Sequence, residues 1–314
     1  MLKKCLVAAM ALPLLWASPA RASSVTFDPT GTAGATNDLT IDVLDPTVGN
    51  SIAIGGSAAL QQGQTVTALF QANLGVATLL GNTVYSQGDN GTYFTIVAGF
   101  QETVISTTGG TNPLLTFDVN EGGSTNFFNI YQNTTGSANN LTGTCFTCGT
   151  LVLSGVLVDP NGTGIDSNFQ VTGGGAGTPL DAFGGVNNYP ATASLTGLGS
   201  FSVTIQTTFA NQLFFPGMTA GSTFLLGTST QTLNYNQADP SACFSNNGVT
   251  SCNQPGVASV GAINALSGPN TMFQTDANLS FQVSAVPEPA SLTLLGLGLL
   301  GSVRGIRRRV QAKG

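Results

Sequence analysis

The stretch "GTYFTIVAGFQETVIS" (91–106) decides the fold class. β-Branched and aromatic side chains fill it, as they fill strands, because they pack well on a pleated surface. Asp89-Asn90-Gly91, a turn signal, lies at its start. The same texture recurs on both sides. "DLTIDVLD" (38–45) alternates Leu39, Ile41 and Val43 with polar partners, the pattern of a half-buried strand. "QTVTALFQ" (64–71), "PLLTFDVN" (113–120), "NFFNIYQ" (126–132), "GTLVLSGVLVD" (149–159), "GSFSVTIQTTF" (199–209) and "ANLSFQVSA" (277–285) read as further strands. Helix signals are weak, and "SAALQQGQ" (57–64) reads as one short helical turn. Many strands, 41 glycines in 314 residues and no strand–helix alternation predict an all-β, sandwich or jelly-roll-like domain. The Gly/Pro-rich segment "GGGAGTPLDAFGGVNNYPATASLTG" (173–197) reads as a long loop of one domain or a linker between two; a single domain over 23–285 is the reading adopted.

Charge sets the next limits. All eight Lys and Arg residues lie near the two ends: Lys3, Lys4, Arg21, Arg304, Arg307, Arg308, Arg309 and Lys313. The chain has no His, so residues 23–286 carry 13 carboxylates and no cationic side chain. Nucleic-acid binding is excluded on this ground, because it relies on Lys and Arg to neutralise phosphates. Schiff-base lysines and His-based triads are excluded for want of their residues. Disorder does not follow from the net charge. Charged residues are sparse, 13 of 264, against about a quarter in an average protein. The chain also holds 18 Phe to build a core.

The N-terminus reads as a signal peptide, residues 1–22. Lys3 and Lys4 form its basic region and Leu6–Trp16 its apolar core, and Ala20-Arg21-Ala22 supplies the small residues that direct cleavage between Ala22 and Ser23. The apolar run is too short for a membrane span of roughly 20 residues.

Export implies an oxidising environment for Cys145, Cys148, Cys243 and Cys252. Four cysteines allow three pairings. The local pattern, Cys145–Cys148 with Cys243–Cys252, is preferred because both loops are short and polar. A thioredoxin-like redox pair lacks the cation or helix N-terminus that lowers a thiol pKa. "DPNGTGIDSNFQ" (159–170) resembles a calcium loop through Asp159, Asn161 and Thr163 at alternate positions and Gly164 at the sharp turn. Its twelfth residue is Gln170 rather than a bidentate Glu, so a strand-connecting turn is the plainer reading and no metal or other cofactor is assigned. Asp118 with Glu121, and Asp42 with Asp45, are carboxylate pairs of the kind a glycosidase uses, but both adjoin predicted turns, where Asp is common for structural reasons. No catalytic residue is assigned, and the protein reads as a non-enzyme. Trp16 leaves with the signal, so sugar stacking by a carbohydrate-binding module would fall to Tyr85, Tyr93, Tyr131, Tyr189 or Tyr235.

The C-terminal segment "VPEPASLTLLGLGLLGSVRGIRRR" (286–309) has three parts in order. Pro287-Glu288-Pro289 denies regular backbone hydrogen bonding and leaves an extended peptide. Ala290–Val303 is apolar; as a helix it reaches about 21 Å, short of a roughly 30 Å hydrocarbon core. Arg304, Arg307, Arg308 and Arg309 would hold the tail on the cytoplasmic side during a transient inner-membrane insertion. This arrangement resembles the PEP-CTERM sorting signal. The resemblance implies a Gram-negative host, export, and processing by an exosortase at residues 286–314. More loosely, "TFDPTGTAGATNDLTIDVLDPTVGNSIAIGG" (26–56), "NFFNIYQN" (126–133), "GTLVLSGVL" (149–157) and "DPSACF" (239–244) are similar to the flocculation-associated branch of PEP-CTERM proteins. That likeness implies a cell-surface or extracellular-matrix protein that promotes flocculation with exopolysaccharide or another matrix polymer. Where that branch has Asp-Pro-Asp-Gly, this chain has Asp28-Pro29-Thr30-Gly31, which removes one potential cation ligand.

Overall fold

The structure, a computed structural model, describes residues 24–34, 36–56, 60–140, 143–159, 166–180, 193–231, 245–246, 249–250 and 270–281. All lie within one compact unit, Ser23–Val283. The unit opens with β1 (Val25–Phe27), β2 (Leu39–Ile41), β3 (Val43–Pro46) and β4 (Gly49–Ile54). The long β5 (Thr65–Leu79), β6 (Asn82–Ser86), the long β7 (Tyr93–Thr108), β8 (Leu114–Val119) and β9 (Asn126–Asn133) follow. Then come β10 (Thr150–Val158), β11 (Ser167–Pro179), β12 (Ala193–Ala210), β13 (Thr223–Gln231), β14 (Ser245–Asn246), β15 (Val249–Thr250) and β16 (Thr271–Ser280). The all-β expectation holds. Among the described residues the one helical element is a 3-10 turn at Asp89–Gly91.

Twelve strands form one large antiparallel sheet in the order β10-β9-β7-β8-β11-β12-β13-β16-β3-β5-β4, with β6 paired to β5; β1–β2 and β14–β15 are separate pairs. The quoted stretch 91–106 becomes β7, whose length lets it serve three neighbours. One edge pairs with β5 from Thr95 to Thr103. The other pairs first with β9, Tyr93 to Phe100, and then with β8, Glu102 to Thr108. β12 behaves in the same way. It pairs with β11 through its first half, as far as Phe201↔Ser167, and with β10 from Thr204 to Ala210, while β13 holds its other edge. The sheet therefore forks. β9 and β10 link β7 to β12 on one arm, and β8 and β11 link them on the other.

Apolar alternation supplies the core that holds the fork together. Phe94, Ile96, Ala98 and Phe100 on β7 share a cluster with Ala68, Phe70, Ala72 and Leu74 on β5 and with Phe201, Val203 and Ile205 on β12. Residues two apart on a strand share a face, so each triplet or quartet presents one side to this core. At its aromatic end Phe27 packs edge-on to Tyr85 and Phe94, centroids 5.7 and 5.2 Å away, and lies 5.3 Å from Phe215. Such pairs add about 0.5–1.5 kcal/mol each beyond area burial. The Tyr85 hydroxyl donates to the Thr92 carbonyl at 2.7 Å, and burial raises its pKa.

Three local expectations need correction. Leu60–Gln64 of the expected helical turn is a β-turn, closed by the Gln64 amide on the Gln61 carbonyl at 3.1 Å, with Gly63 at φ +87°; residues 57–59 lie outside the described set. The stretch 38–45 is two strands. Asp42 interrupts it, because its buried carboxylate accepts the Leu80 amide at 2.7 Å and the Thr78 hydroxyl at 3.3 Å, which holds the β5–β6 turn. The last strand runs earlier than its sequence pattern suggested, Thr271–Ser280. The segment 173–197 begins and ends in paired strands, with Gly173↔Thr196 and Pro179↔Ala193 in register.

Candidate functional site

Glu102 sits at the fork, opposite Val66 on β5 and Val119 on β8, two residues beyond the last β9 pairing at Phe100. It continues the parity of Phe94, Ile96, Ala98 and Phe100, so the strand carries a carboxylate onto a core-facing row. It is 8% exposed. Ser167, the first residue of β11, donates its hydroxyl to Glu102 Oε1 at 2.5 Å. Burial pushes the Glu102 pKa up to about 7; the Ser167 bond opposes the rise and the nearby Asp166 charge adds to it. The physical cause is the penalty on an ionised group taken out of water, with no cationic side chain in this domain to offset it.

Further carboxylates gather at the same place: Asp118 lies at the end of β8 and Glu121 just after it, Asp159 directly follows β10, and Asp166 directly precedes β11. Asp166 Oδ2 accepts the Val119 amide at 3.0 Å, and the Ser202 amide donates to its carbonyl at 3.0 Å. The Asp166 pKa is raised, first by burial and then by Asp159 and Asp118, against the Val119 bond. The Asp159 amide donates to Glu121 Oε1. Thus the structure brings Asp118 and Glu121, read from sequence as one pair, together with Asp159, Asp166 and Glu102. Asp42 and Asp45 lie elsewhere: Asp42 holds its turn, and Asp45, on β3, has its pKa raised by burial and by Asp276.

Of the calcium-loop residues, Asp159 is described, and Asn161 and Thr163 lie outside the described residues. Strands β10 and β11 flank the segment, and the Gln170 amide nitrogen donates to the carbonyls of Asn112, Pro113 and Val171 at 3.0, 3.3 and 2.9 Å. Among the described residues no group of three His, Cys, Asp or Glu side chains is arranged to hold a metal.

Beside Glu102 lies a cavity of about 110 Å³. Six phenylalanines line it: Phe70, Phe100, Phe117, Phe169, Phe201 and Phe273. Phe100 and Phe201, from β7 and β12, stack with centroids 4.7 Å apart and planes at 12°. Asn168 and Ser200 border the cavity, are exposed, and join through the Asn168 amide on Ser200 Oγ at 2.9 Å. Sequence reading passed over Glu102 and this cavity. The signal was the position of Glu102 two residues after Phe100 on a long apolar row.

Cys145 and Cys148 form a disulfide, their Cα atoms 4.6 Å apart. The loop between them is anchored by Phe146, which is fully buried and whose carbonyl accepts the Thr95 hydroxyl at 2.7 Å. Gly149 then turns the chain into β10 at φ +99°, where a Cβ would lie 2.2 Å from the Gln132 carbonyl oxygen. Cys243 and Cys252 lie outside the described residues. So do the predicted cleavage site at Ala22 and Ser23, the motif Pro287, Glu288 and Pro289, and the arginines Arg304, Arg307, Arg308 and Arg309. Of the tyrosines offered for sugar stacking, Tyr85 and Tyr131 are buried, with the Tyr131 pKa raised by burial; Tyr93 is half-buried, and Tyr189 and Tyr235 lie outside the described residues. Among the described residues no helix is long and apolar enough to cross a membrane.

Comparison with known proteins identifies one segment. The family model for the PEP-CTERM protein-sorting motif matches residues 285–309. No curated protein and no solved structure matches the chain. The C-terminus of this chain therefore carries the PEP-CTERM sorting motif, which marks an exported protein sorted to the cell surface by an exosortase.

Proposed function

We propose that the exported domain is a non-enzymatic cell-surface or extracellular-matrix protein that promotes flocculation together with exopolysaccharide. One observation carries this reading: a sorting motif at 285–309 follows a segment, 23–286, that has 13 carboxylates and no cationic side chain. A polyanion of this kind attracts divalent cations, which can bridge it to other acidic polymers. Hydroxyl and amide side chains supply the remaining polar contacts to a matrix glycan. A rigid β scaffold suits the task. The shared core beneath β5, β7 and β12 supports reading the large sheet as a sandwich-like body.

Two strains test the role. Removal of Pro287–Gly314 should shift the protein away from the cell surface, seen by fractionation, and abolish flocs. Deletion of the whole gene should abolish flocs as well, and restoring the intact chain should return them. Unchanged flocculation in the gene deletion would overturn the adhesion role while leaving the sorting motif untouched. Release of reducing sugar from the host exopolysaccharide by the purified protein would overturn the non-enzymatic reading.

A further inference from the structure

We propose that the cavity at the fork is a binding site for a compact alkylammonium ion of about the bulk of choline, held against the phenylalanine rings with Glu102 as its counter-ion. The inference is independent of the adhesion reading and rests on four features of the cavity.

Its walls are aromatic. Phe70, Phe100, Phe117, Phe169, Phe201 and Phe273 come from six strands and meet at one space. Aromatic faces carry negative charge density, and a desolvated cation over such a face gains about 2 kcal/mol. A carboxylate is part of the lining: Glu102 is buried there with its Ser167 bond. No side chain of this domain supplies the counter-charge, because residues 23–286 hold no Lys, Arg or His. Ionised Glu102 is therefore balanced only from outside, and a cationic ligand does so in the place where burial makes the balance worth most. The size sets a limit. The space measures about 110 Å³, less than the roughly 150 Å³ cavity that admits benzene in another protein, so it has room for the trimethylammonium head and leaves the hydroxyethyl arm toward the Asn168–Ser200 border. Finally, exposed Asn168 and Ser200 on its border give a route from solvent.

The test is calorimetric titration of the exported protein, purified from cells that secrete it. The two probes are choline and its uncharged isostere 3,3-dimethyl-1-butanol. Choline should bind saturably and at least about tenfold more tightly than the alcohol, as cation–π and ionic contacts together require. Glu102→Gln should shrink that preference to the part the rings supply and leave the alcohol's affinity as it was. Phe100→Leu keeps the position apolar, with a smaller side chain, while removing one ring, so it should weaken choline more than the alcohol and provides a second variant if the first alters folding. Equal binding of the two probes would reduce the site to an apolar void, and no saturable binding of either would remove it altogether. Either result overturns the proposal.

Discussion

Replacing Glu102 with glutamine gives the sharpest test of the buried carboxyl at the fork. In the folded protein Glu102 keeps its proton up to about pH 7, whereas an unperturbed glutamic acid releases it near 4.5. Between those values the folded state binds more protons than the unfolded state. Stability therefore falls as pH rises through the window from 4.5 to about 7 and levels off above it. At roughly 1.4 kcal/mol for each pH unit separating the two values, the loss is about 3 kcal/mol. Glutamine carries no charge at any of these pH values and retains an acceptor for the Ser167 hydroxyl. The two proteins should thus be about equally stable near pH 4.5. At pH 8 the Glu102→Gln variant should be the more stable by about 3 kcal/mol, a large fraction of a typical domain's 5–15 kcal/mol. Asp166 has a raised pKa of its own, so both proteins keep some downward slope, and the difference between them isolates Glu102. Urea unfolding of each at half-unit steps from pH 4.5 to 8.5 measures it. Parallel stability curves would refute the burial argument, since they would mean that Glu102 titrates alike in both states.

Other expectations follow from the same geometry. Gly149→Ala should cost at least about 2 kcal/mol, because it joins a left-handed backbone to a Cβ clash with the Gln132 carbonyl; a denaturation midpoint equal to that of the wild type would contradict it. Replacing Cys145 and Cys148 together with serine should cost about 2 kcal/mol, the small loop-closure entropy of so short a ring, measured by unfolding under non-reducing conditions. Tyr85→Phe should cost about 1 kcal/mol through loss of the buried bond to Thr92, with ring packing on Phe27 and Phe94 kept, and circular dichroism melts would register it.

The strand class was legible in the sequence because it depends on local texture. β7, β8, β9 and β10 fall where β-branched and aromatic runs lie between turn signals. β6 and β11 were not picked out. β6 has three exposed residues and little apolar patterning, and β11 is rich in glycine, so neither carries a strong periodic signal. The break at Asp42 was equally hidden, since the groups that hold its carboxylate, Leu80 and Thr78, are distant in the chain.

By itself the sequence determined the export address and the lack of cationic side chains across residues 23–286. Sorting depends on a contiguous C-terminal motif, and the absence of cations is a property of composition, so neither needs a fold to be read. Only the tertiary structure decided that β7 and β12 change partners partway, and that this change brings Glu102, Ser167, Asp166 and the six phenylalanines to one place. Register between strands paired across as many as 57 residues, as at Leu153↔Ala210, sets that meeting. The same residue at position 102 would turn to the opposite, half-buried face of β7 if the pairing slipped by one, because strand faces alternate with every residue.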